Sequence, residues 1–483
     1  MKKFAVLFVL VFALPIFLVG CGAESESNSY VIVCEYDDES KTLCGSETVK
    51  FFNQSNNAIE SLSFFLYPNS FAEGKKVVSD SYFDKAYVDG KVSYGNIEIL
   101  SVKSGENLSF SVSEEGNILS CALNKEVFPN ESVTVDIEFC VQLANINHRL
   151  GYGENTINFG NFYPILCVYE NGFVENEFST SGDPFYSTVA NYDVTLTFDD
   201  DFVLAHSGNA VSESVSGGKK VVKIKGEKLR DFAFVLSKNF KKASALIGEV
   251  VVNYFYHDDQ DYEENLAVAV DAMNTFQNLF GEYPYEAVNV VQANFCFGGM
   301  EYPNLVLIAD AVDDKETYKY VIVHELAHQW WYSLVGNNEF AEAWLDESLT
   351  EYSTFLFFEQ NEKYGLEYEK MVEGALNSYQ LFVNIYKDAL GEVDESMARA
   401  LPEFATEPEY VNNVYTKGVL MFDSVRKTVG DRKFFNCLKN YFKEYKFKIA
   451  KGGDLINSFS KTAKINLSSF FNAWLNGEVS VGG

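Results

Sequence analysis

Between Tyr30 and about Leu236 the chain alternates apolar and polar residues in short runs. Val133, Val135, Ile137 and Phe139 are separated by Thr134, Asp136 and Glu138, and Tyr192, Val194, Leu196 and Phe198 by Asp193, Thr195 and Thr197. Successive side chains of a strand point to opposite faces, so a period of two buries one face and leaves the other wet. With Gly and Asn turns between the runs, the pattern predicts antiparallel sheet and an all-β, sandwich-like domain over residues 30–242. The texture changes near Lys241 to Gly248. Over residues 263–280, Leu266, Val270, Met273, Phe276 and Phe280 recur at helical spacing and Gly281 ends the run. This predicts an amphipathic helix packed on a core. Short strands are expected at residues 288–292 and 305–308, and helices at 431–445 and 466–474. The fold class is therefore multidomain α+β, the β domain preceding a mostly helical domain over residues 243–483. No internal repeat of fixed period is present.

The first residues read differently. Lys2-Lys3 precede an apolar run from Phe4 to Val19, closed by Leu18-Val19-Gly20-Cys21. By charge, length and small-residue end this is a secretory signal over residues 1–20, and its last four residues resemble a bacterial lipoprotein cleavage site. Cys21 would then carry lipid, and residues 21–29 would be a solvated linker. A single membrane-spanning anchor is the competing reading of the same run. Either one places the remainder outside the cytoplasm, tethered to the outer face of the cell membrane.

Apolar residues make up 47% of the chain and aromatics 16%, ample for the cores of two or three domains. The net charge of −31 argues against nucleic acid or an anionic membrane surface as a partner. None of the 8 cysteines forms a C-x-x-C pair, which removes a zinc ribbon or a redox motif. Cys34 and Cys44 flank an acidic turn, where a hairpin would bring them together as a disulfide or as two reduced, half-buried thiols.

The chemistry gathers in Val321-Ile322-Val323-His324-Glu325-Leu326-Ala327-His328-Gln329-Trp330-Trp331. Asp313 with Glu316 offers a capping box, the interior is apolar, and Gly336-Asn337 supplies a stop, so a helix is expected. Histidines at i and i+4 lie on one face, one turn apart, and both imidazoles can reach one metal. The chain has only 5 histidines, so two around a glutamate at this spacing carry weight. Glu325 projects beside them, where a base acting on water at the metal must sit. A catalytic zinc takes three protein ligands and keeps one position open. The acidic side of Ala343-Trp344-Leu345-Asp346-Glu347-Ser348-Leu349-Thr350-Glu351-Tyr352 offers the third, and spacing alone leaves Asp346, Glu347 and Glu351 open.

A glutamate nineteen positions after the second histidine, in a W-L-x-E setting, resembles the aminopeptidase N family of zinc metallopeptidases. The resemblance implies His324, His328 and Glu347 as zinc ligands, one zinc per chain, Glu325 as general base, and a thermolysin-like catalytic domain behind the β domain. Two further elements are similar to the family's. Gly298-Gly299-Met300-Glu301-Tyr302 resembles G-x-M-E-N, which implies that Glu301 anchors a substrate's free amino terminus; Tyr302 departs from the pattern, which usually has asparagine there. Val414-Tyr415-Thr416-Lys417-Gly418 resembles Y-x-K-G, which implies Tyr415 as donor to the tetrahedral oxyanion. No second acidic residue for the amine is evident in the β domain. Glu351 fits a solvated helix face better than a role in orienting a histidine. With the sequence ending at Gly482-Gly483, the resemblance implies a member that lacks the large C-terminal helical domain of many relatives.

The expected function is a zinc-dependent aminopeptidase acting on extracellular peptides. A zinc endopeptidase of the same fold and a non-catalytic, peptidase-like binding protein are the alternatives.

Overall fold

The structure is a computed structural model that describes residues 27–481. The signal segment over residues 1–20 and Cys21 lie outside the described residues. The period-two runs form strands: Ser132–Gln142 buries Val135, Ile137 and Phe139, and Ala190–Asp199 buries Tyr192, Val194, Leu196 and Phe198. Both belong to an eight-stranded sheet ordered Asn209–Ser216, Lys219–Leu229, Ala190–Asp199, Ser29–Asp37, Thr42–Phe52, Ser132–Gln142, Asn96–Ser104, Glu106–Asn107. Two four-stranded sheets share one apolar core with it, which makes the sandwich-like domain that the alternation predicts.

Two details depart from expectation. Ser29–Asp37 runs parallel to Ala190–Asp199, with Tyr30 opposite Tyr192, although the other pairs in this sheet are antiparallel. Alternation reports which face a side chain takes and is the same for either direction. The disulfide is Cys44–Cys140, between residues directly opposite in register, and Cys34 is a buried free thiol. Neither reading of Cys34 with Cys44 therefore holds. The hairpin pairs Cys34 with Gly45 and Glu35 with Cys44, so the two sulfurs leave the sheet on opposite faces.

Glu47 stands between Ile32 and Ile137 in the same sheet, faces the core, and is fully buried with both carboxylate oxygens unpartnered. Burial pushes its carboxyl well above the ordinary value of 4.5. An unsatisfied polar group in a core costs on the order of 1–3 kcal/mol, so Glu47→Met is expected to stabilise the protein by about that much. The wild-type chain loses stability as pH rises from the unfolded value toward the higher folded one, so the gain grows with pH. Urea unfolding at pH 4 and pH 8 checks this; a variant no more stable than wild type at pH 8 would refute it.

The second half begins with a five-stranded sheet ordered Lys241–Ile247, Val250–Tyr256, Ala287–Ala293, Leu305–Ala309, Gly299–Met300. The predicted amphipathic helix is Tyr262–Leu279, burying Met273 and Phe276 against a second core. Gly299–Met300 forms the sheet's edge, antiparallel to Leu305–Ala309, and ends where Glu301 begins. Helices then pack on this sheet, and no helix among the described residues is long and apolar enough to cross a membrane.

Candidate active site

The histidine helix is Lys315–Ala327, and its cap is Asp314, which accepts from the Thr317 amide at 2.8 Å, rather than Asp313. It stops at Ala327, with His328 as its C-cap, well before Gly336-Asn337. Trp330 and Trp331 explain the early stop. Both indoles are buried, Trp330 against Phe276 and Trp331 against Phe280 and Tyr441, and the chain turns to seat them.

His324 Nε2 and His328 Nε2 lie 3.2 Å apart, and Glu347 Oε2, from the helix Trp344–Gln360, lies 3.4 and 3.2 Å from them. The outer nitrogens are already committed: His324 Nδ1 donates to Glu351 Oε2 at 2.8 Å, and His328 Nδ1 donates to the Trp331 carbonyl at 2.9 Å. Each Nε2 therefore presents its lone pair to the other and to a carboxylate oxygen that has no hydrogen-bond partner. Three converging acceptors repel one another unless a cation sits among them. Tetrahedral zinc with bonds of about 2.0–2.2 Å separates its donors by about 3.3–3.6 Å, so this donor set fits it. The electrostatics favour positive charge at this point, which a proton supplies where no metal does. Burial disfavours charge on His328, yet Glu301 and Glu347 push it up to about 10. Burial also opposes charge on Glu347, yet the two histidines hold its carboxyl well below the usual range.

Glu325 lies over Gly299, where an added Cβ would sit 2.3 Å from its carboxylate oxygen. Only a residue without a side chain lets the edge strand pass so close. Gly298 has open space by comparison, its nearest neighbour being Val321 at 3.7 Å, so one glycine of the pair is required by contact. Burial raises the Glu325 carboxyl to about 7, although both histidines oppose the shift. Glu301 is buried, its Oε1 unpartnered, in the cleft of about 260 Å³ that also holds His324, His328 and Glu325. Met300 is buried beside it, its sulfur 3.1 Å from Arg149 Nε.

Tyr415 sits on a π-helical turn, Asn412–Thr416, and its hydroxyl donates to Glu347 Oε1. The Lys-Gly that follows has a steric reason. A Cβ on Gly418 would meet Ser348 Oγ at 2.3 Å, so the glycine lets the helix Lys417–Val429 press against the helix that carries Glu347. Ser348 donates to the Val414 carbonyl at 2.6 Å across that contact, and Tyr415 is delivered beside the triangle.

Two residues escaped the sequence reading, and a third, Glu351, was assigned the wrong surroundings. Arg149, which is buried, and Asp183, which is partly so, both from the β half, form an ion pair in the cleft. Their segments carry no periodicity that singles them out. Glu351 was expected on a solvated face; it accepts instead from His324 and, at 2.5 Å, from Tyr320. Its i+4 position behind Glu347 was the available signal. Glu351→Gln is expected to weaken zinc affinity by about 10- to 100-fold, read by competition with a chromogenic chelator. Unchanged affinity would remove Glu351 from the metal's support.

The fold and the His-His-Glu cluster resemble those of zinc metallopeptidases. Residues 264–474 match the family model described as Peptidase family M1 domain. The chain is 25% identical over 337 residues to aminopeptidase N of Lactobacillus delbrueckii subsp. lactis, covering 64% of this chain and 38% of that one. It is 22% identical over 374 residues to aminopeptidase N of Lactococcus lactis subsp. lactis (strain IL1403), covering 71% and 42%. It thus spans less than half the length of these relatives. The structure of an M1 zinc metallopeptidase from Deinococcus radiodurans matches at a TM-score of 0.66 and 14% identity, covering 94% of this chain and 93% of that one. Another structure of that enzyme, a mutant described as bound to a Tyr-Ser-Ala substrate, matches at 0.67 and 14% identity, covering 94% of each. The chain therefore has the two-domain M1 metallopeptidase fold, matches a Peptidase M1 domain over residues 264–474, and is similar in sequence to aminopeptidase N proteins, as its motifs imply. Zinc is the cofactor that the matched family implies; His324, His328 and Glu347 fit it, and Glu301, His328 and Asp346 form a second cluster of possible donors that shares His328.

Proposed function

We propose that the protein is a zinc-dependent aminopeptidase that removes the first residue of peptides outside the cytoplasm. One observation carries the reading: three lone-pair donors meet within 3.4 Å in a cleft that also holds the carboxylate of Glu301, whose Oε1 has no partner. Zinc, when held by His324, His328 and Glu347, supplies Lewis acidity that polarises a carbonyl and acidifies water.

The chain's own groups complete the site. Glu325 takes the proton from the attacking water and returns it to the leaving amine. Tyr415, whose hydroxyl donates to Glu347 Oε1 in the free site, donates to the carbonyl oxygen as that oxygen gains charge. Glu301 and Asp183 offer negative charge to a free ammonium, so the bond after the first residue is the one presented to Glu325.

The reading extends to location. Lys2-Lys3, the apolar run and Cys21 support export and lipid anchoring at the outer face of the membrane. The Cys44–Cys140 disulfide suits an oxidising compartment. Tritiated palmitate incorporation that disappears in Cys21→Ser tests the anchor.

The activity is tested with aminoacyl chromogenic amides and their N-acetylated twins, with and without a zinc chelator. Chelator-sensitive cleavage confined to the free amides supports the reading. Comparable cleavage of the acetylated twins would make the enzyme an endopeptidase, and silence on both with zinc bound would leave a binding protein.

A further inference from the structure

Glu301 has a structural difficulty. Its Oε1 has no hydrogen-bond partner, so the side chain is not held by that atom, and the carboxylate has to be placed through the backbone on either side. Met300, before it, packs its sulfur on Arg149. Tyr302, after it, is buried and reaches into the β half of the molecule. Its hydroxyl donates to Asn161 Oδ1 at 3.1 Å, and Asn161 Nδ2 donates to Asp231 Oδ2 at 2.6 Å. Asp231 is anchored in turn by the Tyr163 hydroxyl at 2.8 Å and the Phe232 amide at 2.6 Å. At the other end, the Tyr302 carbonyl accepts from Gln329 Nε2 at 3.1 Å, one residue beyond His328.

The ring passes where a side chain would otherwise stand. A Cβ on Gly160 would lie 1.8 Å from the Tyr302 hydroxyl oxygen and 2.4 Å from Cζ. Gly160 has an ordinary backbone, outside the left-handed region, so it is the passage of the tyrosine that calls for glycine. Asn161, the acceptor, does take a left-handed conformation, φ 52°, which asparagine tolerates better than most residues.

We propose that Tyr302 is a positioning residue for recognition of the substrate's amine: a strut, threaded beneath Gly160, that fixes Glu301 relative to both the metal ligands and the β domain. The proposal rests on the reading of Glu301 as amine anchor. The side chain touches no substrate. It acts by tying the backbone at Glu301 to the β half through Asn161, while Gln329 ties the same backbone to the end of the histidine helix.

The test uses the zinc-loaded full chain, with Tyr302→Phe, Gly160→Ala and the double variant, on aminoacyl amides and their acetylated twins. Tyr302→Phe keeps the ring and removes the hydroxyl. It is expected to raise KM for the free amide by about fivefold to tenfold, with kcat changed less than about twofold, and to reduce the preference for free over acetylated substrate by a similar factor. Gly160→Ala is expected to do the same or more. In the Tyr302→Phe background its added effect on KM should shrink, because both substitutions act through the same bond from the ring to Asn161, although Cζ still lies 2.4 Å from the added methyl. A merely structural role would lower thermal stability and active fraction without splitting KM from kcat. Unchanged KM in Tyr302→Phe, or effects of the two substitutions that multiply independently, would overturn the strut while leaving the aminopeptidase reading in place. A wild-type enzyme that cleaves acetylated twins equally well would overturn Glu301 as anchor, and Tyr302's role with it. Tyr302→Phe is conservative enough to decide the matter if Gly160→Ala does not fold.

Discussion

Glu325→Gln is expected to retain zinc at one per chain and to lose kcat by about 10³- to 10⁴-fold. The substitution keeps the shape of the side chain, which matters because the carboxylate is pressed on Gly299, with room for nothing larger than hydrogen beneath it. The metal ligands are untouched: His324 and His328 keep their bonds to Glu351 and the Trp331 carbonyl, and Glu347 keeps its place on a separate helix. What disappears is the ability to accept a proton, since an amide is no base. Zinc content by elemental analysis and thermal stability should therefore match wild type while turnover collapses. A variant with near-normal kcat would rule out Glu325 as the base, and loss of zinc along with activity would show that the carboxylate supports the site instead. Binding of substrate should persist, because Glu301 lies elsewhere in the cleft, so KM is expected to move far less than kcat.

The metal site was legible because its geometry is local. Two histidines four positions apart in a helix face one point whatever surrounds them, and the structure places their Nε2 atoms 3.2 Å apart. The sheet faces were legible for the same reason, since Val135, Ile137 and Phe139 alternate inward by the geometry of one strand. What sequence could not supply lies between segments. The partner of Cys44 is set by pairing with a strand 96 residues away in the chain. The parallel pair of Ser29–Asp37 with Ala190–Asp199 depends on a long connection that leaves the alternation unchanged. Asp183 and Arg149 enter the cleft from the β half, where their neighbours in sequence give no hint of the metal. The end of the histidine helix was misplaced because packing of Trp330 and Trp331 overrode a glycine stop further on. Tyr302 was visible as a departure from the family pattern. Its meaning required Gly160, which is far from it in the chain and in contact with it in the fold.

Glu301→Gln is expected to abolish most of the enzyme's preference for a free amino terminus. Glu301 is buried with an unpartnered oxygen, and burial together with the nearby Asp183 pushes its carboxyl well above the ordinary range. Its Oε1 has no hydrogen-bond donor, and a peptide's ammonium is suited to supply one. Removing one partner of a buried charged pair costs about 2–5 kcal/mol, and about 2.7 kcal/mol is a factor of 100. The ratio of kcat/KM for a free aminoacyl amide to that of its acetylated twin, measured at high enzyme concentration, should fall by roughly 100-fold. The loss should come from the free amide, because the acetylated twin has no ammonium to lose. Equal losses on both substrates would mean that Glu301 serves the chemistry or the fold rather than the amine, and the cleft would then have no device for counting from the amino terminus. Asp183 bears on the size of the effect. Its charge is held by Arg149, so it draws an ammonium less strongly than a free carboxylate would, and the larger share of the discrimination is expected at Glu301.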